Sequence, residues 1–281
     1  MSWGRLFAWI QHVLPQRALS RLMLRATRIR ASWFKNALVR GFLKLYTVDM
    51  SDARQSDPFS YATFNEFFTR ELKPSARPIE SNPRAIACPV DGAVSEAGSI
   101  EGDSLLQAKG RRYTLAQLLA GESWARDFEG GSFATIYLAP FNYHRVHMPL
   151  RADLQKTVYI PGRLFSVNAS TALHVQGLFA RNERVLTLFD TVFGQMALIM
   201  VGALNVGSIA TVWAGDITPA SRRVVTTLPP QRRTLDKGEE LGRFNMGSTV
   251  ILLFQRNRAA WRAGLRAGTK VRLGESIGTL G

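Results

Sequence analysis

The chain has one cysteine, four histidines and no acidic residue at all before Asp49. A lone Cys88 rules out an intrachain disulfide, which fits a reducing compartment. It stands beside Pro89 without companions of metal-ligand type, so it reads as a small buried thiol and no metal site is expected. Long apolar runs are missing too. The richest, residues 197–204, falls far short of the ~20 residues that span a bilayer. A secretory signal is not evident either. Gln11 and His12 interrupt the apolar part of the N-terminus, and an arginine-rich stretch stands where small residues would mark cleavage. Retention on the cytoplasmic side is therefore expected, with no internal repeat or low-complexity tract to suggest a fibrous or disordered chain.

What is present is a chain of 281 residues, 46% apolar and 20% charged, enough to bury a sizeable core. Its net charge of +15 favours an anionic partner, a membrane surface or a nucleic acid. The basic residues are concentrated at the start. Residues 1–48 hold Arg5, Arg17, Arg21, Arg25, Arg28, Arg30, Lys35, Arg40 and Lys44. Between them Trp3, Leu6, Phe7, Ile10, Val13 and Leu14 recur at three- and four-residue steps, as do Trp33, Phe34, Leu38, Phe42 and Leu43. This is the pattern of short amphipathic helices, with Pro15 separating the first from the next. One reading makes them a packed cap with solvated arginines. The favoured one lays them on an anionic membrane, where each basic residue near the surface contributes about 1 kcal/mol. Nucleic acid is not expected as a partner, because no binding motif is recognisable.

Residues 49–281 have a different texture. Residues 62–72, with Phe64, Phe67 and Phe68, predict one more helix. After Pro78 come short β-prone runs at 85–88, 93–100, 133–138, 157–160, 185–189, 196–201, 208–213 and 249–254, broken by glycine and proline. Residues 114–119 predict a short helix capped by Thr114. The stretch 225–237, with Pro229, Pro230, Arg232 and Arg233, predicts a mobile loop. The fold class that follows is α+β: a mainly antiparallel sandwich or barrel-like core preceded by N-terminal amphipathic helices.

Three islands carry chemistry. Asp91 and Gly92 lie at a strand end, His144 and His147 lie in Tyr-His-Arg-Val-His-Met-Pro (143–149), and Ser248 lies in Asn-Met-Gly-Ser-Thr (245–249). Each alone is weak, since Asp-Gly is usually a turn and paired histidines are often structural. Together they supply a carboxylate, an imidazole and a hydroxyl. A serine hydroxyl needs a neighbouring base, and that base works best when its tautomer is fixed.

On these segments the chain resembles the bacterial-type phosphatidylserine decarboxylases. Tyr-Ala-Thr-Phe-Asn-Glu-Phe-Phe (61–68), Gln-Ala-Lys-Gly (107–110), Phe-Ala-Arg-Asn-Glu-Arg (179–184) and Val-Trp-Ala-Gly (212–215) match as well, so the likeness runs from about residue 46 to 254. Met246 stands where that family usually has leucine, an isosteric change that processing should survive. The resemblance implies two chemistries. In the first, Asp91 orients His147, which takes the proton of Ser248. The serine oxygen attacks the Gly247 carbonyl, and β-elimination and hydrolysis leave a pyruvoyl group on residue 248. The products, 1–247 and 248–281, form a heterodimer open to further assembly. In the second, the pyruvoyl cofactor forms a Schiff base with phosphatidylserine and accepts the electrons released with CO₂, giving phosphatidylethanolamine. His144 is the candidate proton donor. On a strand, a separation of three sends His144 and His147 to opposite faces. Two alternatives stay open: an Asp91–His147–Ser248 hydrolase that never cuts itself, although the Gly-x-Ser-x-Gly elbow is missing, and a non-catalytic basic membrane- or RNA-binding module.

Overall fold

The computed structural model describes residues 11–204, 208–217, 224–226, 233–246 and 248–281, with backbone alone for 224–226 and 248. Residues 3–10 of the first amphipathic segment lie outside the described residues. Helix α1 (Gln16–Thr27) starts directly after Pro15, as the sequence implies, and α2 (Ser32–Leu45) follows. Helix α3 (Phe64–Phe68) is shorter than expected over 62–72. Its start is fixed because the Thr63 hydroxyl accepts from Glu66 N at 3.0 Å while the Glu66 carboxylate accepts from Ala62 N at 3.1 Å. It stops at Thr69 because the chain must turn to bring Leu72 into a bridge with Ala53.

The strands begin with β1 (Ala85–Ala87), β2 (Gly92–Ser99), β3 (Ser104–Ala108), β4 (Arg111–Thr114), β5 (Ser132–Leu138), β6 (Arg145–His147) and β7 (Ala152–Ile160). Then come β8 (Arg184–Thr191), β9 (Gly194–Gly202), β10 (Ile209–Thr211), β11 (Gly215–Ile217), β12 (Val224–Thr226), β13 (Arg233–Leu235) and β14 (Glu240–Phe244). The last are β15 (Ser248–Phe254), β16 (Ala259–Trp261), β17 (Lys270–Val271) and β18 (Ser276–Leu280). Three short helices interrupt them: α4 (Leu115–Leu118), α5 (Ala169–His174) and α6 (Leu178–Arg181). Thr114 caps α4 through a reciprocal box with Gln117. The ends of the expected loop at 225–237 are strands, because 224–226 and 233–235 both pair with β7; residues 227–232 lie outside the described residues.

The largest sheet runs β12-β7-β8-β9-β15-β5-β2-β17, with β13 also on β7, and its pairings are antiparallel. A four-stranded sheet, β11-β10-β14-β6, and a three-stranded sheet, β1-β18-β16, flank it. The α+β expectation is borne out, with open sheets rather than a closed barrel. Strand β15 lies in the middle, and Val250, Ile251, Leu252 and Leu253 are fully buried. Both faces of this strand are covered, which is why it reads as an unbroken apolar run rather than as an alternation.

A second apolar cluster joins the N-terminal helices to the body. Val39 of α2 is buried with Tyr61, Phe64, Phe67 and Phe68, and Leu38, Phe42 and Leu43 pack against them. Phe42 meets Phe64, Phe67 and Phe68 edge-on at ring separations of 5.5, 6.0 and 5.9 Å. Phe42→Ala is expected to cost about 3 kcal/mol of docking energy. Hydrogen exchange should then open the α2 amides while those of β15 stay protected; equal loosening of both would contradict a separate cluster.

Candidate active site

The functional islands converge where three strands of the large sheet end. Ser248, the first residue of β15, lies opposite Leu138 at the end of β5 and opposite Gly202 at the end of β9. Tyr137 of β5 pairs with Thr249 on one side and Ala93 of β2 on the other, so the Asp91–Gly92 corner sits one strand beyond. Gly92 is glycine for a steric reason. A Cβ there would lie 2.4 Å from the Tyr137 carbonyl oxygen.

Just ahead of Ser248 the backbone is strained. Met246 has φ +120°, a conformation that L side chains rarely adopt. The residue before it is held at four points. Asn245 N donates to Ser208 O at 2.9 Å, and its amide nitrogen donates to Ser208 Oγ at 2.6 Å and Asp216 Oδ1 at 2.9 Å. Its amide oxygen accepts from Asn65 Nδ2 at 3.1 Å. Such over-determination is what allows an unfavourable dihedral to persist.

Asp91 is buried and engaged by Arg77. Its Oδ2 accepts from Nη2 at 2.6 Å and from Nε at 3.1 Å, and Oδ1 accepts from Nε at 3.0 Å and from Leu273 N at 2.8 Å. Arg77 also reaches Asp52 at 2.6 Å. Despite its burial, these bonds raise the Arg77 pKa. No motif around Arg77 signals this role.

His147 is oriented by another group than the expected carboxylate. Its Nδ1 lies 2.8 Å from Gly238 O and its Nε2 lies 3.0 Å from the Tyr143 hydroxyl. A carbonyl only accepts, so the proton sits on Nδ1 and Nε2 is the acceptor. Backbone pairing of His147 N with Pro89 O at 2.9 Å keeps the imidazole beside the 89–91 corner, and Asp91 acts on it through space. Burial lowers the His147 pKa despite these contacts. His144 is fully buried, with Nδ1 2.8 Å from Asn142 O and its ring 4.1 Å from that of Phe68. Its Nε2 has no hydrogen-bond partner, and burial pushes its pKa down to about 3. Strand β6 begins at Arg145, so His144 precedes it, and the two imidazoles face different neighbours.

The ladder between β6 and β14 ranks them along the chain that leads to the serine. His144 O accepts from Phe244 N at 3.0 Å, whereas His147 pairs with Glu240. His144 is therefore the nearer to the 245–248 turn along the strand. Of the other two histidines, His12 stacks on Phe165 and His174 bonds Ser170 O, away from these islands.

A cleft of about 400 Å³ opens beside Asp91, walled by Arg70, Arg77, Tyr143, Lys270 and Arg272. Arg77 and Arg272 are paired with carboxylates. Arg70 is different. It is buried, gives one bond of 3.2 Å to Phe141 O, and leaves its Nε without a partner. Burial lowers its pKa. Arg70 lies two residues past the aromatic motif 61–68, but nothing in that motif signals a buried cation.

A corner that brings Asp91 and His147 together beside a cleft walled by cations, with a serine opening a nearby strand after a strained turn, has the groups that acyl or carboxyl chemistry needs. Comparison with known proteins narrows this. Residues 64–279 match the family model described as Phosphatidylserine decarboxylase, and residues 6–47 match one described as PSD. The chain is 51% identical over 278 residues to the phosphatidylserine decarboxylase proenzyme of Methylococcus capsulatus, covering 98% of this chain and 96% of that one. It is 52% identical to that of Pseudomonas entomophila, covering 98% and 97%, and 50% identical to that of Azotobacter vinelandii, covering 98% of each. The chain belongs to the phosphatidylserine decarboxylase family.

The buried His144 makes stability depend on pH. Its folded pKa lies below the ordinary histidine value of 6.5, so between 6.5 and about 3 the unfolded chain binds more protons. Stability is then fully present above pH 6.5 and falls on acidification, by up to roughly 1.4 kcal/mol per pH unit. Urea unfolding of Ser248→Ala protein at pH 7 and pH 4.5 should show this loss, and adding His144→Leu should reduce it. An unchanged pH difference would mean that His144 is not buried neutral. Arg77→Ala, which leaves Asp91 buried without its cation, should cost about 3 kcal/mol in the same assay.

Proposed function

We propose that the chain is a proenzyme that cuts itself between Gly247 and Ser248, turns Ser248 into a pyruvoyl group, and decarboxylates phosphatidylserine to phosphatidylethanolamine at a membrane surface. The observation that carries this reading is the strained Met246 backbone, clamped through Asn245 immediately before a Gly-Ser step. The nucleophile elbow of a hydrolase is strained as well, but its serine lies on a strand-to-helix turn, whereas Ser248 opens a strand. The residues present suit such a group, because the serine that would form it opens a buried strand at the end of the sheet that also carries the Asp91–Gly92 corner.

In this reading His147, neutral and with Nε2 as acceptor, takes the Ser248 proton. Gly238 O fixes its tautomer, and Asp91, held by Arg77, adds a negative field that favours the imidazolium. The pyruvoyl group, once formed, supplies a carbonyl that accepts the electrons released with CO₂. Arg70, a desolvated cation on the cleft wall, would hold an anionic part of the headgroup, and His144 would carry the proton that replaces CO₂. A second reading exchanges the histidines, favoured by the unfilled Nε2 of His144 and its position nearer the turn.

Cleavage would not release the smaller product. Residues 248–281 supply β15 between β5 and β9, β17 on β2, and β18 between β1 and β16, so the two pieces would persist as a heterodimer. No described helix is long and apolar enough to cross a membrane. Among the described residues, however, Val13, Leu19, Leu22, Ile29, Trp33 and Leu45 are exposed large apolar side chains within the first 45 positions. With the arginines between them, they support a surface that rests on the anionic cytoplasmic leaflet.

Intact mass of the purified protein tests the reading. Two chains are expected for the wild type, with the smaller carrying a ketone in place of a terminal serine, and one chain for Ser248→Ala. His147→Ala should stay whole and His144→Ala should be cut but evolve no CO₂; the reverse pattern selects the second reading. Trp33→Ser with Leu22→Ser should weaken binding to vesicles containing anionic lipid at least fivefold without changing the mass pattern. Unchanged binding would refute the membrane face.

A further inference from the structure

Resting on that self-cleavage reading, we infer that Glu183 is the base that removes the Cα proton of residue 248 in the elimination step. No residue has yet been given that task. Ser248 Oγ bonds to the Gly247 carbonyl carbon as the Gly247–Ser248 C–N bond breaks, leaving an ester and a free amine. Elimination then takes the proton from Cα of residue 248, forms a Cα–Cβ double bond, and expels the Gly247 carboxylate from Cβ. Water afterwards replaces the nitrogen, which leaves as ammonia. There is no redox change, and the one unassigned partner is the acceptor of the Cα proton.

Glu183 stands just ahead of β8, and its backbone oxygen accepts from Gly202 N at 2.8 Å. The Gly202 carbonyl oxygen accepts from Asn182 Nδ2 at 2.9 Å. Both polar groups of Gly202 are thus turned toward the β8 side. Its pairing with Ser248 in β15 is therefore the non-hydrogen-bonded kind, in which opposed Cα atoms come to about 4.5 Å and their Cα–H bonds point toward one another.

The glycine leaves the space above it open, and the Glu183 carboxyl fills that space. A Cβ on Gly202 would lie 3.7 Å from Glu183 Oε1. The carboxyl thus reaches over the residue that the Ser248 Cα faces. Glu183 is 2% exposed; its Oε2 accepts from the Tyr159 hydroxyl at 2.9 Å, and its Oε1 has no hydrogen-bond partner. An unfilled carboxyl oxygen in so buried a place costs free energy, which a purely structural glutamate would not need to incur.

Burial also makes this carboxylate a stronger base than an exposed one. Its pKa is raised to about 7, with Tyr159 of β7 and Arg17 of α1 the polar and charged groups that oppose the rise. Leu164 adds only apolar surface on this side of Gly202.

The test is processing of purified Glu183→Gln and Glu183→Asp proteins beside wild type, read by intact mass before and after neutral hydroxylamine, which splits esters and spares amides. Wild type should appear as two chains. Glu183→Gln should stay whole in buffer, yet hydroxylamine should cut it after residue 247 and expose an unmodified serine amine at position 248. Glu183→Asp, which withdraws the carboxyl by one methylene, should accumulate the same ester and complete processing at least tenfold more slowly. Wild-type completion should speed up about tenfold from pH 6 to pH 8, the sign required of a base that titrates between them. Processing of Glu183→Gln at the wild-type rate would overturn the inference. So would an uncut, hydroxylamine-resistant Glu183→Gln protein with native near-ultraviolet circular dichroism, because the block would then precede the ester. If Glu183→Gln fails to fold, Glu183→Asp is judged by the same outcomes. Wild-type protein that stays in one piece would instead sink the self-cleavage reading.

Discussion

The site depends on where β15 begins. From Thr249 onward the strand is buried, and it pairs on both sides, with β5 and with β9. The end of this strand is therefore not free to adjust. The polar segment before it must reach Ser248 from Phe244, which is itself fixed by the ladder to β6 and by the His144 carbonyl. Phe244 and Ser248 are both held by their ladders, and Met246 between them has the unfavourable dihedral. The hydrogen bonds of Asn245 and the sheet on either side hold the strained dihedral in place. The same buried strand would keep the two products together after a cut, since its apolar side chains contribute roughly 1.5–3 kcal/mol each.

The polar groups around this strand divide into two kinds. Asp91 and Arg77 satisfy each other and the nearby backbone, and His147 has a partner on each nitrogen. His144 Nε2 and Glu183 Oε1 have none, although both are buried. A fully satisfied pair fixes geometry. An unsatisfied buried acceptor is costly in the resting protein and becomes favourable when a proton or substrate group arrives. The charge on Asp91 therefore suits a positioning and field role, while the open lone pairs of His144 and Glu183 suit the later proton transfers proposed for them. Gly238, a loop glycine 91 residues beyond His147, takes over the orienting contact expected of Asp91.

Much of this was legible beforehand because it is local. The Thr114 cap, the start of α1 after Pro15 and the apolar run of β15 are written in neighbouring residues. So are the Asp-Gly, His-x-x-His and Gly-Ser-Thr islands, whose spacing carried the family resemblance. What stayed hidden is non-local. The Arg77–Asp91 clamp joins a loop to a strand corner, and the alignment of Glu183, Gly202 and Ser248 exists only through register across three strands. Glu183 lay inside a quoted motif, but a glutamate between Asn182 and Arg184 reads as a surface charge. Only the sheet turns it inward. Strands β12 and β13 were read as loop for the same reason, because their pairing with β7 and not their composition makes them strands.

The N-terminal helices are tied to the body on two sides, which fixes how the chemistry would meet a membrane. On one side Phe42 and Val39 are packed on α3, whose Phe68 carries the His144 ring. On the other, the amide oxygens of Gln16 and Gln11 accept from Leu164 N at 2.9 Å and Ser166 N at 2.7 Å, beside the Glu183 side of the sheet. Arg28, just past α1, pairs with Asp216 at 2.5 Å, and Asp216 accepts from Asn245. That ion pair is partly exposed, so its own energy is small, about 0–1 kcal/mol. Its importance is geometric. The exposed face with Leu22 and Trp33 and the strained turn before Ser248 belong to one framework, so a bilayer that took up the apolar side chains would set the depth of the reacting serine with no further moving part.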